Sequence, residues 1–347
     1  ESLEDFFVDL KEPKFRAKQL LKWIHQKGVL DFNIMTDFNK DLRKKLSSVA
    51  FIEPPKIHQV HSSDEGTIKY VIELNSGSMV EMVIIPEKNR RTLCVSSQAG
   101  CALQCTFCAT GAQGFDQNLE SHEIIGQLWL ANFNQNNTKP ITNVVFMGMG
   151  EPLLNYDSVI ESAKIMKDQL SYGLSRKRIT ISTSGIVPNI NKLSKEIDVS
   201  LAISLHAAED NLRNEIVPIN KKYPIKSLIK ACKEYLNYFD NKRNITIEYI
   251  LIDGINDSIE HAKKLTKLLS DISCKINLIP FNSFTGSDYK RPSNNKINEF
   301  KKYLMSKGFI ATLRITRGDG VDAACGQLVG NLSNTIKGKN SISHKSI

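Results

Sequence analysis

No stretch of the 347-residue chain approaches the roughly 20 consecutive apolar residues that cross a bilayer, and its first residues lack the basic-then-apolar run of a secretion signal. A cytoplasmic protein without a membrane anchor is therefore expected. Cysteine is scarce, seven residues in all, which argues against a disulfide-stapled scaffold and suits a reducing compartment. No internal repeat or low-complexity tract appears. Acidic residues are outnumbered, 37 against 46 Lys and Arg, for a net charge of +9. That excess favours a polyanionic partner. Lys11, Lys14, Arg16, Lys18, Lys22 and Lys27 crowd the first segment, Arg43, Lys44 and Lys45 follow, and Arg176, Lys177 and Arg178 form a second group. Phosphate contacts from such groups give affinity and salt dependence but little sequence information.

What the chain does have is three of its cysteines in one short stretch. Cys101, Cys105 and Cys108 form C-x₃-C-x₂-C, with Phe107 just before the third. Three thiolates at this spacing can hold three irons of a cubic [4Fe–4S] cluster and leave the fourth iron to a non-protein ligand. A zinc site would recruit a fourth Cys or His at short spacing, and the nearest histidine, His122, stands at the expected start of a helix. The spacing is similar to that of radical S-adenosylmethionine (SAM) enzymes, in which SAM chelates the open iron.

Hydrophobic periodicity divides the chain. Ala17, Leu20, Leu21 and Ile24 lie on one helical stripe, with Pro13 at the first turn, so residues 1–50 read as a small helical unit that carries the first basic cluster. From 56 to 86 the period becomes two: Ile68, Tyr70, Ile72 and Leu74 alternate, Asn75-Ser76-Gly77 turns, and Val80, Met82 and Ile84 return. Residues 51–90 are thus a β-hairpin extension. Strands are expected at 92–97, 142–147, 178–183, 199–205, 245–252, 275–280 and 311–316, with helices at 121–134, 154–169, 225–239, 257–270 and 295–306. Such alternation predicts right-handed βαβ units. Six units are too few for a closed eight-fold barrel, so the expected fold is α/β, an open partial (β/α)6 barrel over residues 91–330. The polar tail 331–347 reads as loose. Reactive groups collect at the C-terminal strand ends of such sheets, and the cysteine loop follows the first of these strands.

Later strand ends carry polar residues too: Gly148-Met149-Gly150-Glu151-Pro152, Ser182 and Ser184, Ser204-Leu205-His206, and Asn282. Each alone reads as structural; their recurrence around one mouth is the signal. Glycines after the second strand allow close approach, and Glu151 with free backbone groups is suited to an ammonium. Glu81 shares a face with Val83 and Ile85 by alternation, where an apolar environment would raise its pKa, although a solvated hairpin carboxylate is the simpler reading of the residue alone. Cys94 and Cys325, taken alone, read as small buried hydrophobes, as do Cys232 and Cys274.

Taken together these motifs are similar to those of the RlmN family, the radical-SAM RNA methyltransferases acting on adenine C2 in 23S rRNA and tRNA. The resemblance runs from Phe15-Arg-Ala-Lys-Gln19 through Cys94-Val-Ser-Ser-Gln98, the three cysteines, Met147-Gly-Met-Gly-Glu-Pro152 and Ile216-Val-Pro-Ile-Asn220 to Asp322-Ala-Ala-Cys-Gly-Gln-Leu328. It implies a radical-SAM barrel in which Cys101, Cys105 and Cys108 ligate the cluster. Gly150, Glu151, Ser182, Ser204, Leu205, His206 and Asn282 would contact SAM. It also assigns Cys325 as the methyl-carrying cysteine, Cys94 as the thiol that later pairs with it, and Glu81 as the proton acceptor.

The implied chemistry is divided because adenine C2 is electron-poor and offers no nucleophile for direct displacement. One SAM methylates Cys325. A second yields a 5′-deoxyadenosyl radical that activates the S-methyl group, which adds to C2 of the unstacked base. After loss of an electron and the C2 proton, Cys94 attacks the Cys325 sulfur, releasing RNA and leaving a disulfide. An external reductant of flavodoxin type would reset the pair, and a monomer is the default expectation. Two alternatives stand beside this one: the Cfr family, which modifies C8 of the same adenosine, and a non-catalytic RNA-binding protein with structural zinc.

Overall fold

The computed structural model describes residues 2–134, 139–240, 243–314 and 326–328. Cys325 and the tail 331–347 lie outside the described residues. Twelve strands follow in chain order among the described residues: β1 Lys56–Ser62, β2 Ile68–Glu73, β3 Met79–Pro86, β4 Arg91–Cys94, β5 Gln98–Gly100 and β6 Phe115–Asn118. Then come β7 Asn143–Phe146, β8 Ile179–Thr183, β9 Ser200–Ser204, β10 Ile245–Leu251, β11 Cys274–Pro280 and β12 Ile310–Leu313. Ten of them form one sheet, ordered β1-β2-β3-β4-β7-β8-β9-β10-β11-β12, while β5 and β6 pair separately.

From β4 to β12 all neighbours are parallel. Six crossovers join these strands, carrying the helices Ser121–Phe133, Tyr156–Lys167, Val187–Glu196, Ile225–Tyr238, Ile259–Leu268 and Asn294–Ser306. This is an open α/β sheet with the six expected units. Strand register separates two faces. Val144, Ile179, Ile181, Leu201, Ile247 and Ile276 lie on one, packed in the same core as Leu128, Val159, Leu228 and Leu265 of the helices. Ser182 stands on the other, as do Ser204, Glu248, Asn277 and Thr312, which are aligned across four strands. A lumen lined by hydroxyls, amides and a carboxylate is not a dry core, because each buried polar group needs a partner.

Residues 56–86 form a three-stranded antiparallel meander rather than a two-stranded hairpin, joined to the parallel strands by β3 against β4. Edge strand β1 was hidden in the sequence because it alternates between exposed and half-buried positions and buries no residue fully. Gly77, at φ 82°, makes the expected turn between β2 and β3.

The first fifty residues build three helices, Ser2–Asp9, Phe15–His25 and Lys40–Val49, around a core of their own that includes Phe7, Leu20, Trp23, Phe38 and Leu46. Trp23 takes a buried place on the second helix where Leu21 was expected, and Pro13 precedes the cap residue Lys14 instead of entering the first turn. The unit rests on the barrel through Trp129 Nε1 donating to the Ile24 carbonyl at 3.0 Å and His25 Nδ1 against Tyr172 OH at 3.1 Å.

Candidate active site

The cysteine loop leaves β4 and is braced before and after by β5 and β6. Cys101 N–H donates to Gly114 O at 2.8 Å, and Thr106 N–H to Ile216 O at 3.2 Å. Gly100 has φ 72°, and a Cβ there would collide with the Gly114 carbonyl, so the tight entry to the loop requires glycine. The loop turns at Gln104, a non-glycine residue at φ 53°. Cys101, Cys105 and Cys108 then line one cleft of about 140 Å³ at the C-terminal ends of the parallel strands.

Burial pushes the Cys101 thiol up to about 12 and raises Cys105 further, with the neighbouring sulfurs and Glu151 adding to both. Without a positive centre these thiols stay protonated; a bound metal reverses that, since a coordinating thiol is deprotonated outright. Three thiols on one wall, with the cleft open before them, fit a cluster that keeps one iron for a further ligand.

Beside them stands Glu151, near enough to raise both the Cys101 and Cys105 thiols. Its carboxylate accepts from Ser184 N–H at 2.7 Å and Leu153 N–H at 3.1 Å, while its own N–H donates to Gln98 Oε1 at 2.8 Å. Burial raises its pKa, and the Ser184 amide works against that. A preset buried carboxylate of this kind suits a cationic ligand group. The glycines before it serve the scaffold: a Cβ on Gly148 would lie 2.6 Å from Val95 O, and one on Gly150 would strike the Gln98 side chain.

Ser182, Ser204 and His206 complete the lining with Gly150 and Glu151. His206 has φ 62°, and its Nδ1 accepts from Ile250 N–H at 3.0 Å. Burial, aided by Arg213, pushes its pKa down to about 3, so the ring is neutral with its proton on Nε2. Phe107 meets the ring edge-on, centroids 4.6 Å apart. Leu205 is different: its side chain is fully buried in the core and only its backbone is near the mouth, where its carbonyl accepts from Arg213 Nε. Asn282 follows β11 at the same end of the sheet but is outside the cleft lining.

Glu81 and Cys94 also lie outside that lining. Register places them on the lumen side: Cys94 pairs with Val83, two residues from Glu81 on β3. Glu81 is fully buried, which overturns the solvated reading, yet its surroundings are not simply apolar. Lys69 Nζ lies 3.2 Å from its Oε1, itself only 3% exposed. Cys232 is wholly buried, as the bland reading expected, while Cys274 is only half-buried; burial pushes both thiols up to about 12.

Three residues escaped sequence reasoning. Arg213 is completely buried and donates to Leu205 O, Asn220 Oδ1, Ser184 O and Ser204 O, tying two strand-end loops together. Its partner Asn220 closes Ile216-Val-Pro-Ile-Asn220, a motif recognised without a role. Asn256 donates to His206 O and Ile250 O and so holds the strained histidine. Lys69 is the third, hidden because a lysine in an alternating strand normally reads as solvent-facing.

Two family models match: the ribosomal RNA large subunit methyltransferase N-terminal domain over residues 1–52, and the radical SAM superfamily over residues 95–266. A dual-specificity RNA methyltransferase RlmN of Pseudomonas putida is 55% identical over 340 residues, spanning 96% of this chain and 89% of that protein. The protein of the same name from Pseudomonas entomophila is 55% identical over 96% of this chain and 90% of its own length. A solved radical SAM methyltransferase from Sphaerobacter thermophilus superposes with a TM-score of 0.89 at 39% identity, covering 95% of this chain and 97% of that one.

Proposed function

The chain belongs to the RlmN family of radical SAM RNA methyltransferases, and from that premise we propose that it methylates adenine C2 in 23S rRNA at the peptidyl-transferase centre and in tRNA 3′ of the anticodon. The observation that carries this reading is the convergence, on one cleft, of three thiols, a buried carboxylate, two strand-end hydroxyls and a neutral histidine. Cys101, Cys105 and Cys108 would hold the [4Fe–4S] cluster; Gly150, Glu151, Ser182, Ser204 and His206 would hold SAM, with Asn282 and the Leu205 backbone at the rim. Cluster and SAM, when bound, supply one-electron activation of an otherwise inert methyl group.

The chain's own side chains supply the rest. Glu151 takes the SAM ammonium against a carboxylate already oriented by two amides. His206 offers its Nε2 proton as a hydrogen-bond donor. Cys325 carries the methyl group as a thioether to carbon C2, and Glu81 accepts the C2 proton. Cys94 then attacks the Cys325 sulfur, so that a disulfide forms and the carbon–sulfur bond breaks, its electron pair leaving with the methylene carbon, which takes up a proton to become the methyl group. Gly326, next in sequence to Cys325, lines the cleft and accepts from Ala109 N–H at 2.8 Å, which supports a Cys325 role there. Two SAM per turnover, a flavodoxin-type electron donor, a monomeric enzyme and a cytoplasmic location complete the reading; no helix among the described residues is long and apolar enough to cross a membrane. Residues 1–50 would grip RNA, 51–90 extend the sheet and 91–330 form the catalytic core.

Membership of the radical SAM superfamily displaces the structural-zinc alternative. Anaerobic turnover with CD₃-labelled SAM tests the rest. The RNA product should be 2-methyladenosine having lost one deuteron, and Cys325→Ala should abolish it. An intact CD₃ group in the product would refute the mechanism, and 8-methyladenosine would return the Cfr-like alternative.

A further inference from the structure

The ion pair between Lys69 and Glu81 is a charged feature of the lumen face that the mechanism leaves half used. We propose that Lys69 is the positioning residue for proton acceptance, holding Glu81 ionised and in place on the face it shares with Cys94; this rests on the reading of Glu81 given above.

Lysine is almost never fully buried unless paired, and here both partners are sealed from solvent at 3.2 Å. Taking two charges out of water costs several kcal/mol per ion, so such a pair is a poor device for stability and is better explained by what it does. Register sets its place. Lys69 pairs with Val83 across β2 and β3, and Val83 with Cys94 across β3 and β4, so all three side chains share one face with Glu81. The Glu81 backbone is fixed on both sides, its carbonyl accepting from Ser96 Oγ at 2.6 Å and its N–H facing Met149 Sδ at 3.4 Å. An ammonium has donors only, so it favours the carboxylate form. In the step itself the C2–H bond breaks, its electron pair stays with the adenine ring and the proton goes to a Glu81 oxygen. Lys69 takes no part in the proton transfer, and the accompanying electron loss belongs to the family reaction.

Other titratable groups on this face are His61 on β1, opposite Lys69, Lys56 on β1, opposite Glu73, Glu73 itself on β2 and Cys94 on β4. They are common to every Lys69 variant, so differences between variants isolate the ammonium. The test is an infrared titration of the full-length holoenzyme, with the Glu81 band identified by its loss in Glu81→Gln. In Lys69→Met and Lys69→Gln the Glu81 midpoint should rise by about two pH units, and the acid limb of the RNA methylation profile should move up with it, the rate lost at acid pH recovering as pH rises. Lys69→Arg should keep the unaltered midpoint and rate. An unshifted midpoint in the neutral variants, or an Arg variant as slow as Met, overturns the inference; should the neutral variants fail to fold, Lys69→Arg alone decides it. Covalently attached RNA that has already lost its C2 hydrogen in Lys69→Met would also overturn it, by showing that the ammonium serves Cys94 instead; attached RNA that keeps that hydrogen is the expected result. If Glu81→Gln methylates RNA at the unaltered rate, the reading of Glu81 itself fails, whatever the Lys69 variants do.

Discussion

At the residue scale, the site is held by buried polar side chains whose worth lies in how many acceptors each satisfies. Arg213 is the clearest. Its planar fork reaches four acceptors on three segments, and burial lowers its pKa only to about 10, so it remains a cation. Arg213→Lys keeps the charge but cannot span the same acceptors. It should therefore cost about 3 kcal/mol or more in denaturant unfolding, because hydrogen bonds to a charged donor contribute about 1.5–3 kcal/mol each. A loss within experimental error of zero would contradict this account. His206 carries the same lesson: the residue that lines the cleft also caps Ile250, so the structural and functional readings of a strand-end histidine are both true of it.

At the element scale, two junctions bear testing. The cysteine loop depends on Gly100, where any side chain meets the Gly114 carbonyl. Gly100→Ala should lower iron per protein after anaerobic reconstitution while leaving far-UV circular dichroism unchanged. Full iron loading would count against the loop geometry described. The second junction is where the helical unit meets the barrel, through His25 and Tyr172. Burial pushes the His25 pKa from 6.5 down to about 4, against a raising effect of Asp168. Between those values the unfolded chain binds a proton that the folded chain refuses. The neutral imidazole's contribution is therefore complete above pH 6.5 and is lost as pH falls toward about 4. Unfolding midpoints of the unaltered protein and His25→Gln should converge over that window; a constant gap would show that His25 does not titrate in place. Elements were also where sequence reading worked best. The seven parallel strands fell within a few residues of expectation because each is a short apolar run flanked by a strongly periodic helix. Strand β1 did not, since an edge strand that alternates only between exposed and half-buried positions has no strongly apolar face to reveal it.

At the scale of the whole molecule, a net charge of +9 must act over the distance to an RNA backbone. Several of the first basic residues are engaged within the fold: Arg16 pairs with Glu12, and Lys27 lies over the Trp23 ring. Lys18, Lys22 and Lys44 are exposed. Replacing these three by Gln should reduce the slope of log affinity against log salt by about 2 to 3, since each phosphate contact contributes about 0.7–0.9. Iron content should not change. A salt titration of RNA binding with an unaltered slope would remove the helical unit from the interface.

The sequence by itself determined the cofactor chemistry and the fold class, because ligand spacing and hydrophobic period are local properties that survive without coordinates. Three cysteines within eight residues must share a loop, and a strand of Ile and Val between amphipathic helices must be buried. Only the tertiary structure decided which polar side chains face one another. Lys69 and Glu81 lie on adjacent strands, and Arg213 reaches acceptors on separate loops. Whether such a charge meets water or a partner depends on register and crossover, which no local pattern encodes.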